Sequence, residues 1–348
     1  MLCGALCSKS CPADANTGIL NRKYIKSYLK TNFKQLLRCF VFLFQFFKFI
    51  STLPHSHIPT LPHYSRLYIF EVMDNAIILL IIGLLIGTIG TLIGAGGGFI
   101  LVPLLIFTHP NLTPEIITAI SIALVAANAI SGSIAYARAK RIDYKAGIIF
   151  ALFTVPGSIL GVYVTKYIPP HAFSIIFGIL LIALSLFLFF KKNAAASIGG
   201  DSYAPGLTHQ ILIDRERTVF KYAYSRYAGI LVSILVGFLS PLLGIGGGII
   251  HVPAMVHWLG FPVYIATATS HFILAIMSSV SIIVHAIRGN YNDPAVLHMI
   301  AWLAIGAMIG AQAGAFLSHK IKTTVIIKSL AVCLGLVGIR LLLDFFNN

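Results

Sequence analysis

Residues 94–103 read "GAGGGFILVP", and residues 244–253 read "GIGGGIIHVP". Seven of the ten positions are identical, at a spacing of 150 residues. Each stretch interrupts an apolar run, where every glycine weakens a helix by about 1 kcal/mol against alanine. The break is made twice, so its cost must be offset by something it does.

The surroundings of the two breaks define the class of molecule. The 348-residue chain is 58% hydrophobic and only 10% charged, with a mean hydropathy of +0.91. Soluble domains carry about 25% charged residues. Apolar runs recur at 75–93, 116–136, 146–165, 172–190, 228–243, 264–287, 295–317 and 323–343. Several reach the ~20 residues that cross a hydrocarbon core about 30 Å thick. They are apolar on every face, whereas a β-barrel would alternate in segments of about ten residues. The expectation is an all-α polytopic membrane protein of the cell (inner) membrane.

The net charge of +15 does not point to nucleic acid. Basic residues gather in short loops: Arg138, Lys140, Arg141 and Lys145; Lys191 and Lys192; Arg215, Arg217, Lys221 and Arg226. That is the signature of cytoplasmic loops under the positive-inside rule. The five cysteines form no framework. Cys3, Cys7 and Cys11 fit neither a zinc pair nor a disulfide module, and Cys39 and Cys333 sit in apolar runs as small hydrophobes. No metal or cofactor is expected.

Four stretches divide the chain. Residues 1–72 mix lysines with a short aromatic run, "CFVFLFQFF", and a Pro/His stretch. They read either as an interfacial amphipathic segment or as untranslated sequence upstream of a start at Met73. Residues 73–190 and 228–348 form two halves, joined by a polar linker, 191–227, expected on the cytoplasmic side. Gly87 matches Gly237 at the 150-residue spacing. Thr118, Ala119 and Ser121 match Thr267, Ala268 and Ser270 at 149, as Gly157 and Gly161 match Gly306 and Gly310. The reading is two internal repeats, each with one glycine-broken half-helix and about four membrane-spanning helices. Whether the repeats are inverted or parallel stays open. The short pieces after the breaks, 97–108 and 247–258, reach only about 18 Å at 1.5 Å per residue. They are half-helices.

A helix that restarts inside a membrane presents free N–H groups and the positive end of its dipole, a combination that binds anions. Non-helical backbone at that depth is tolerated where it is buried in protein or lines a cavity. Paired interruptions in two repeats point to a transporter's midplane site. Gly96, Gly97, Gly98, Gly246, Gly247 and Gly248 are therefore candidate substrate-binding residues. The alternative is that these glycines only permit close packing, as Gly157, Gly161, Gly306 and Gly310 are read to do. Ser121 and Ser270 could donate to an oxyanion or bond a carbonyl one turn back. His251, in the first turn of the second half-helix, and His271 are candidate proton-coupling groups. The rival reading is a hydrogen-bonded core histidine. Arg138 and Arg288 pair across the repeat at the ends of the third segments; they read as loop anchors, with anion attraction at a cavity mouth as the alternative.

Two copies of G-x-G-G-G-x-φ-x-V-P (φ apolar), each following a first membrane helix, resemble the TauE/SafE sulfite exporter family over residues 73 to about 345. The resemblance implies a multipass carrier of sulfite, sulfonates or related sulfur-containing organic anions. No ATP-binding loop accompanies the motif, so a secondary transporter working by alternating access is expected, with a proton or sodium as coupling ion. An anion channel is the alternative. A membrane-embedded enzyme or assembly subunit is the weaker one, since Asp74, Glu115, Asp143 and Asp293 all lie near segment ends.

Overall fold

The computed structural model describes residues 75–190, 207–318, 331–332 and 334–343. The expectations for residues 1–72 lie outside these described residues. The helices are α1 (Ala76–Ile93), α2 (Gly98–Thr108), α3 (Pro114–Arg138), α4 (Tyr144–Thr165) and α5 (Pro170–Phe190). After a β-hairpin come α6 (Arg226–Leu243), α7 (Gly248–His257), α8 (Val263–Ile287) and α9 (Pro294–Leu317). A short helix, α10 (Leu334–Leu343), follows. Seven of these, α1, α3, α4, α5, α6, α8 and α9, are long and apolar enough to cross a membrane.

Local chemistry explains most of the starts. The side chains of Asn75, Asp143, Ser225 and Asp293 accept from the first-turn amides of Ile77, Ala146, Ala228 and Ala295. Thr113 does the same for α3, with Pro114 at its first position and Glu115 in its first turn. Polar caps and N-terminal proline satisfy or avoid the free amides of a helix start. The half-helices α2 and α7 differ. Their N-caps are Gly97 and Gly247, which supply no side-chain bond.

Small residues set the packing. α1 and α9 run side by side in the same direction: Gly83 meets the backbone of Leu303, Gly87 that of Ala307, and Gly310 that of Leu84. α4 and α6 do likewise, with Gly157 against Ile234 and Phe238, and Gly161 against Phe238. A Cβ on Gly157 would come within 2.8 Å of the Ile234 carbonyl oxygen, so these glycines let backbones touch. α3 and α8 instead run antiparallel at the centre. Glu115, in the first turn of α3, pairs with Arg288 at the end of α8 (2.9 Å). At the other end Thr269 Oγ1, early in α8, accepts from the Asp143 amide just beyond α3 (3.0 Å).

The stretch read as a polar linker holds structure. β1 (Thr208–Ile213) and β2 (Val219–Tyr224) pair antiparallel, with Thr208 opposite Tyr224 and Ile213 opposite Val219. The inner residues Tyr222 and Tyr224 pack on Phe261, with Met255, Leu259 and Phe150 in the same buried cluster. The Tyr222 hydroxyl donates to Asp143 (2.7 Å), and Arg141 pairs with Asp214 in the turn (3.1 Å). The hairpin therefore caps the bundle on the face of the 137–145 loop.

Candidate functional site

Each break is built the same way. α1 ends at Gly94 (φ 85°), Gly96 and Gly97 take φ of 78° and 96°, and α2 begins at Gly98. α6 ends at Gly244 (φ 69°), Gly246 and Gly247 take 78° and 64°, and α7 begins at Gly248. Left-handed backbone at these positions is where glycine is required. The chain turns back on itself, so α2 and α7 return toward the faces from which α1 and α6 came.

The two breaks meet. Gly98 packs on the carbonyl of Gly244, and Gly248 packs on the carbonyl of Gly94. Ser121 Oγ donates to the Gly244 carbonyl (2.6 Å), and Ser270 Oγ to the Gly94 carbonyl (3.3 Å). Each serine thus braces the break of the other half, and neither bonds a carbonyl one turn back. All six candidate glycines and both serines are buried. The two uncapped helix starts consequently lie together inside the protein.

His271 and His251 do not share one site. His271 Nε2 lies 3.3 Å from Thr91 Oγ1, which donates to Asn128 Oδ1 (3.0 Å). Asn128 Nδ2 then donates to the Gly96 carbonyl (3.1 Å), completing a chain from the histidine to the first break. Gly132 makes room for it, because a Cβ there would stand 2.6 Å from His271 Cδ2. His251 belongs to the second break. Its Nε2 lies 3.4 Å from Ser233 Oγ, while Nδ1 is buried with no partner. Ser233 Oγ donates to the Gly229 carbonyl (2.7 Å), so it can only accept from Nε2–H. Nδ1 is then the position open to a proton.

Asn128 and Thr91 were not among the residues read from the sequence. Asn128 is a lone amide in the middle of the α3 apolar run, and that placement was the available signal. Arg138 and Arg288 sit in different surroundings. α3 and α8 both span 25 residues, and their bounds differ by 149, an offset that sets Arg288 against Ala139. Arg138 is exposed, whereas Arg288 joins Glu115 and lies 5.0 Å over the Tyr163 ring.

Electrostatics around the breaks favour negative charge. Among the described residues the buried carboxylates are Asp143 and Asp214, both at the hairpin end. Among the described residues nothing buried and acidic opposes the helix starts. Among the same residues no three His, Cys, Asp or Glu side chains converge as a metal site would need.

Apolar spanning helices enclosing two buried half-helix starts define a multipass membrane transporter. The chain belongs to the sulfite exporter TauE/SafE family, whose model matches residues 79–341. It is 35% identical over 274 residues to the probable membrane transporter protein YunE of Bacillus subtilis, covering 77% of this chain and 97% of that one. A probable membrane transporter protein of Methanocaldococcus jannaschii is 28% identical over 286 residues, covering 79% and 98%. One from Xylella fastidiosa strain Temecula1 is 25% identical over 242 residues, covering 70% and 84%. No solved structure matches the chain.

Proposed function

We propose that the chain is a secondary transporter of a small anion, of the sulfite or organosulfonate class, working by alternating access. The observation that carries this reading is the meeting of two uncapped half-helix starts, Gly98 and Gly248, in a buried region without carboxylates. Their dipoles and free amides offer positive potential where the substrate would cross. Gly96, Gly97, Gly98, Gly246, Gly247 and Gly248 form the backbone of that site, with Ser121 and Ser270 holding its two halves together. The family's description supplies the sulfur oxyanion.

The antiparallel α3 and α8 supply the moving parts. The Glu115–Arg288 pair ties them at one face, and the cation–π contact of Arg141 over Tyr264 (5.5 Å) ties them at the other. Loosening one tie while keeping the other would expose the site to one side at a time. His251 and His271, buried and bonded through Nε2, serve as the proton-coupling groups.

Counterflow in proteoliposomes tests the proposal. Labelled external sulfite should accumulate when unlabelled sulfite or a sulfonate is inside, and cations inside should have no effect. Flux that neither saturates nor shows counterflow would make the protein a channel instead. Coupling has its own test: His251→Gln or His271→Gln should abolish pH-driven flux yet leave sulfite binding intact. Unchanged pH-driven flux in both variants would remove histidine coupling from the mechanism.

A further inference from the structure

The two breaks look alike along the backbone but differ in what lies against them. At the first, Gly90 on α1 packs directly on the break, and a Cβ there would stand 2.6 Å from the Gly97 nitrogen. The residue at the matching position of α6 is Ser240. Its Oγ lies 3.1 Å from the point where a Cβ on Gly247 would stand, against the uncapped start of α7. Ser240 is fully buried, and its hydroxyl has no hydrogen-bond partner.

Other groups separate the breaks in the same sense. Asn128 satisfies the Gly96 carbonyl of the first, and Met277 occupies the matching position in α8. Leu101 of α2 corresponds to His251 of α7, whose Nδ1 is the other unpartnered buried atom beside the second break. At the first break no side-chain hydroxyl or imidazole stands in the places of Ser240 and His251, where the chain has Gly90 and Leu101. At the second break the Gly248, Ile250 and His251 amides donate to the Gly246 and Gly247 carbonyls, while the Ile249 amide, the Ser240 hydroxyl and His251 Nδ1 keep no such bond.

A buried hydroxyl without a partner loses about 1–3 kcal/mol of solvation unless something bonds it. Beside the Ile249 amide and the positive end of the α7 dipole, that something has acceptor oxygens and negative charge. We infer that the transported anion binds asymmetrically, on the second break alone, with one oxyanion oxygen accepting from Ser240 Oγ–H and from the Ile249 amide in the first turn of α7. The ligand class is a tetrahedral or pyramidal sulfur oxyanion with several acceptor oxygens. The first break acts as the scaffold that positions this site. This inference rests on the anion-carrier reading and narrows it to one half of the molecule.

The test is binding of inorganic sulfite and of methanesulfonate to the full chain in detergent, by calorimetry, beside the thermal unfolding of unliganded protein. Ser240→Ala should weaken sulfite binding about tenfold, in keeping with the loss of one hydrogen bond to a charged group. Its unliganded melting temperature should stay that of the wild type, because the hydroxyl bonds nothing in the protein. Ser281→Ala, which removes a buried hydroxyl bonded to the Met277 carbonyl (3.0 Å), should leave affinity unchanged. Undiminished affinity in Ser240→Ala, with the wild type binding sulfite, would overturn the asymmetric site and leave the carrier reading standing. A fall in unliganded melting temperature without a change in affinity would make Ser240 structural and overturn it too. Failure of the wild type to bind any sulfur oxyanion would overturn both readings.

Discussion

Gly248→Ala is expected to abolish transport and to leave little stably folded protein. The added Cβ would overlap the Gly94 carbonyl and stand 2.8 Å from the Ala95 Cα. Both neighbours are backbone, so no rotamer change relieves the contact. The first break would have to move, yet Ser270 holds Gly94 and Asn128 holds Gly96. Overpacking of this kind costs about 3 kcal/mol, a large share of a marginal total. Gly98→Ala should behave the same way, because it meets the Gly244 carbonyl that Ser121 fixes. Gly335→Ala is the milder comparison: its nearest neighbour is the Ser185 hydroxyl at 2.7 Å, so relief there costs that side chain's bond to the Ala331 carbonyl and moves no backbone. Thermal unfolding in detergent and counterflow would separate the three. Wild-type stability in Gly248→Ala would mean that the breaks do not touch.

What could be read in advance follows from how far each interaction reaches along the chain. A left-handed glycine turn is a local property, and "GAGGG" and "GIGGG" locate both breaks to the residue. Apolar length is local too, which is why the spanning helices follow from the sequence. The serine bonds were out of reach. Ser121 lies 123 residues from Gly244, and only the crossing of α3 with α8 brings one half's hydroxyl to the other half's carbonyl. The hairpin escaped for a different reason. Each strand is six residues long, and the charged turn between them, with Arg217 at φ 63°, reads as linker. Its alternation becomes meaningful only once Tyr222 and Tyr224 meet Phe261. Ser240 shows the limit most clearly: a serine in an apolar helix has an ordinary use, bonding the carbonyl one turn back. Its unpartnered state belongs to the fold alone.

Arg141→Ala should release the hairpin from the bundle. Arg141 and Asp214 have side chains only 6% and 1% exposed, and the guanidinium reaches Asp214 Oδ2 through both Nε (3.4 Å) and Nη2 (3.1 Å). Removing one member of a buried pair leaves the other charge without its partner, at a cost of about 3 kcal/mol or more. A spin label at Ile211→Cys, on the exposed side of β1, should become mobile in Arg141→Ala in a chain cleared of its native cysteines. Arg141→Lys should fall between, since an ammonium cannot reproduce the planar fork. Acid should act on the same bond. Burial opposes ionisation of Asp214, but the Thr218 amide and the Arg141 guanidinium outweigh it and hold the carboxyl below its ordinary range. A depressed carboxyl stabilises docking above the unfolded pKa of about 3.9 and loses that contribution as pH falls through the folded value. The label should therefore stay immobile from pH 8 to about 5 and loosen only below about 4. Because Tyr222 and Tyr224 pack beside Met255 and Leu259, at the end of α7, the freed hairpin would leave the half-helix that starts at Gly248 without its outer support. Transport should fall along with label immobility. If the label loosens while transport is unchanged, the second break keeps its geometry without the hairpin.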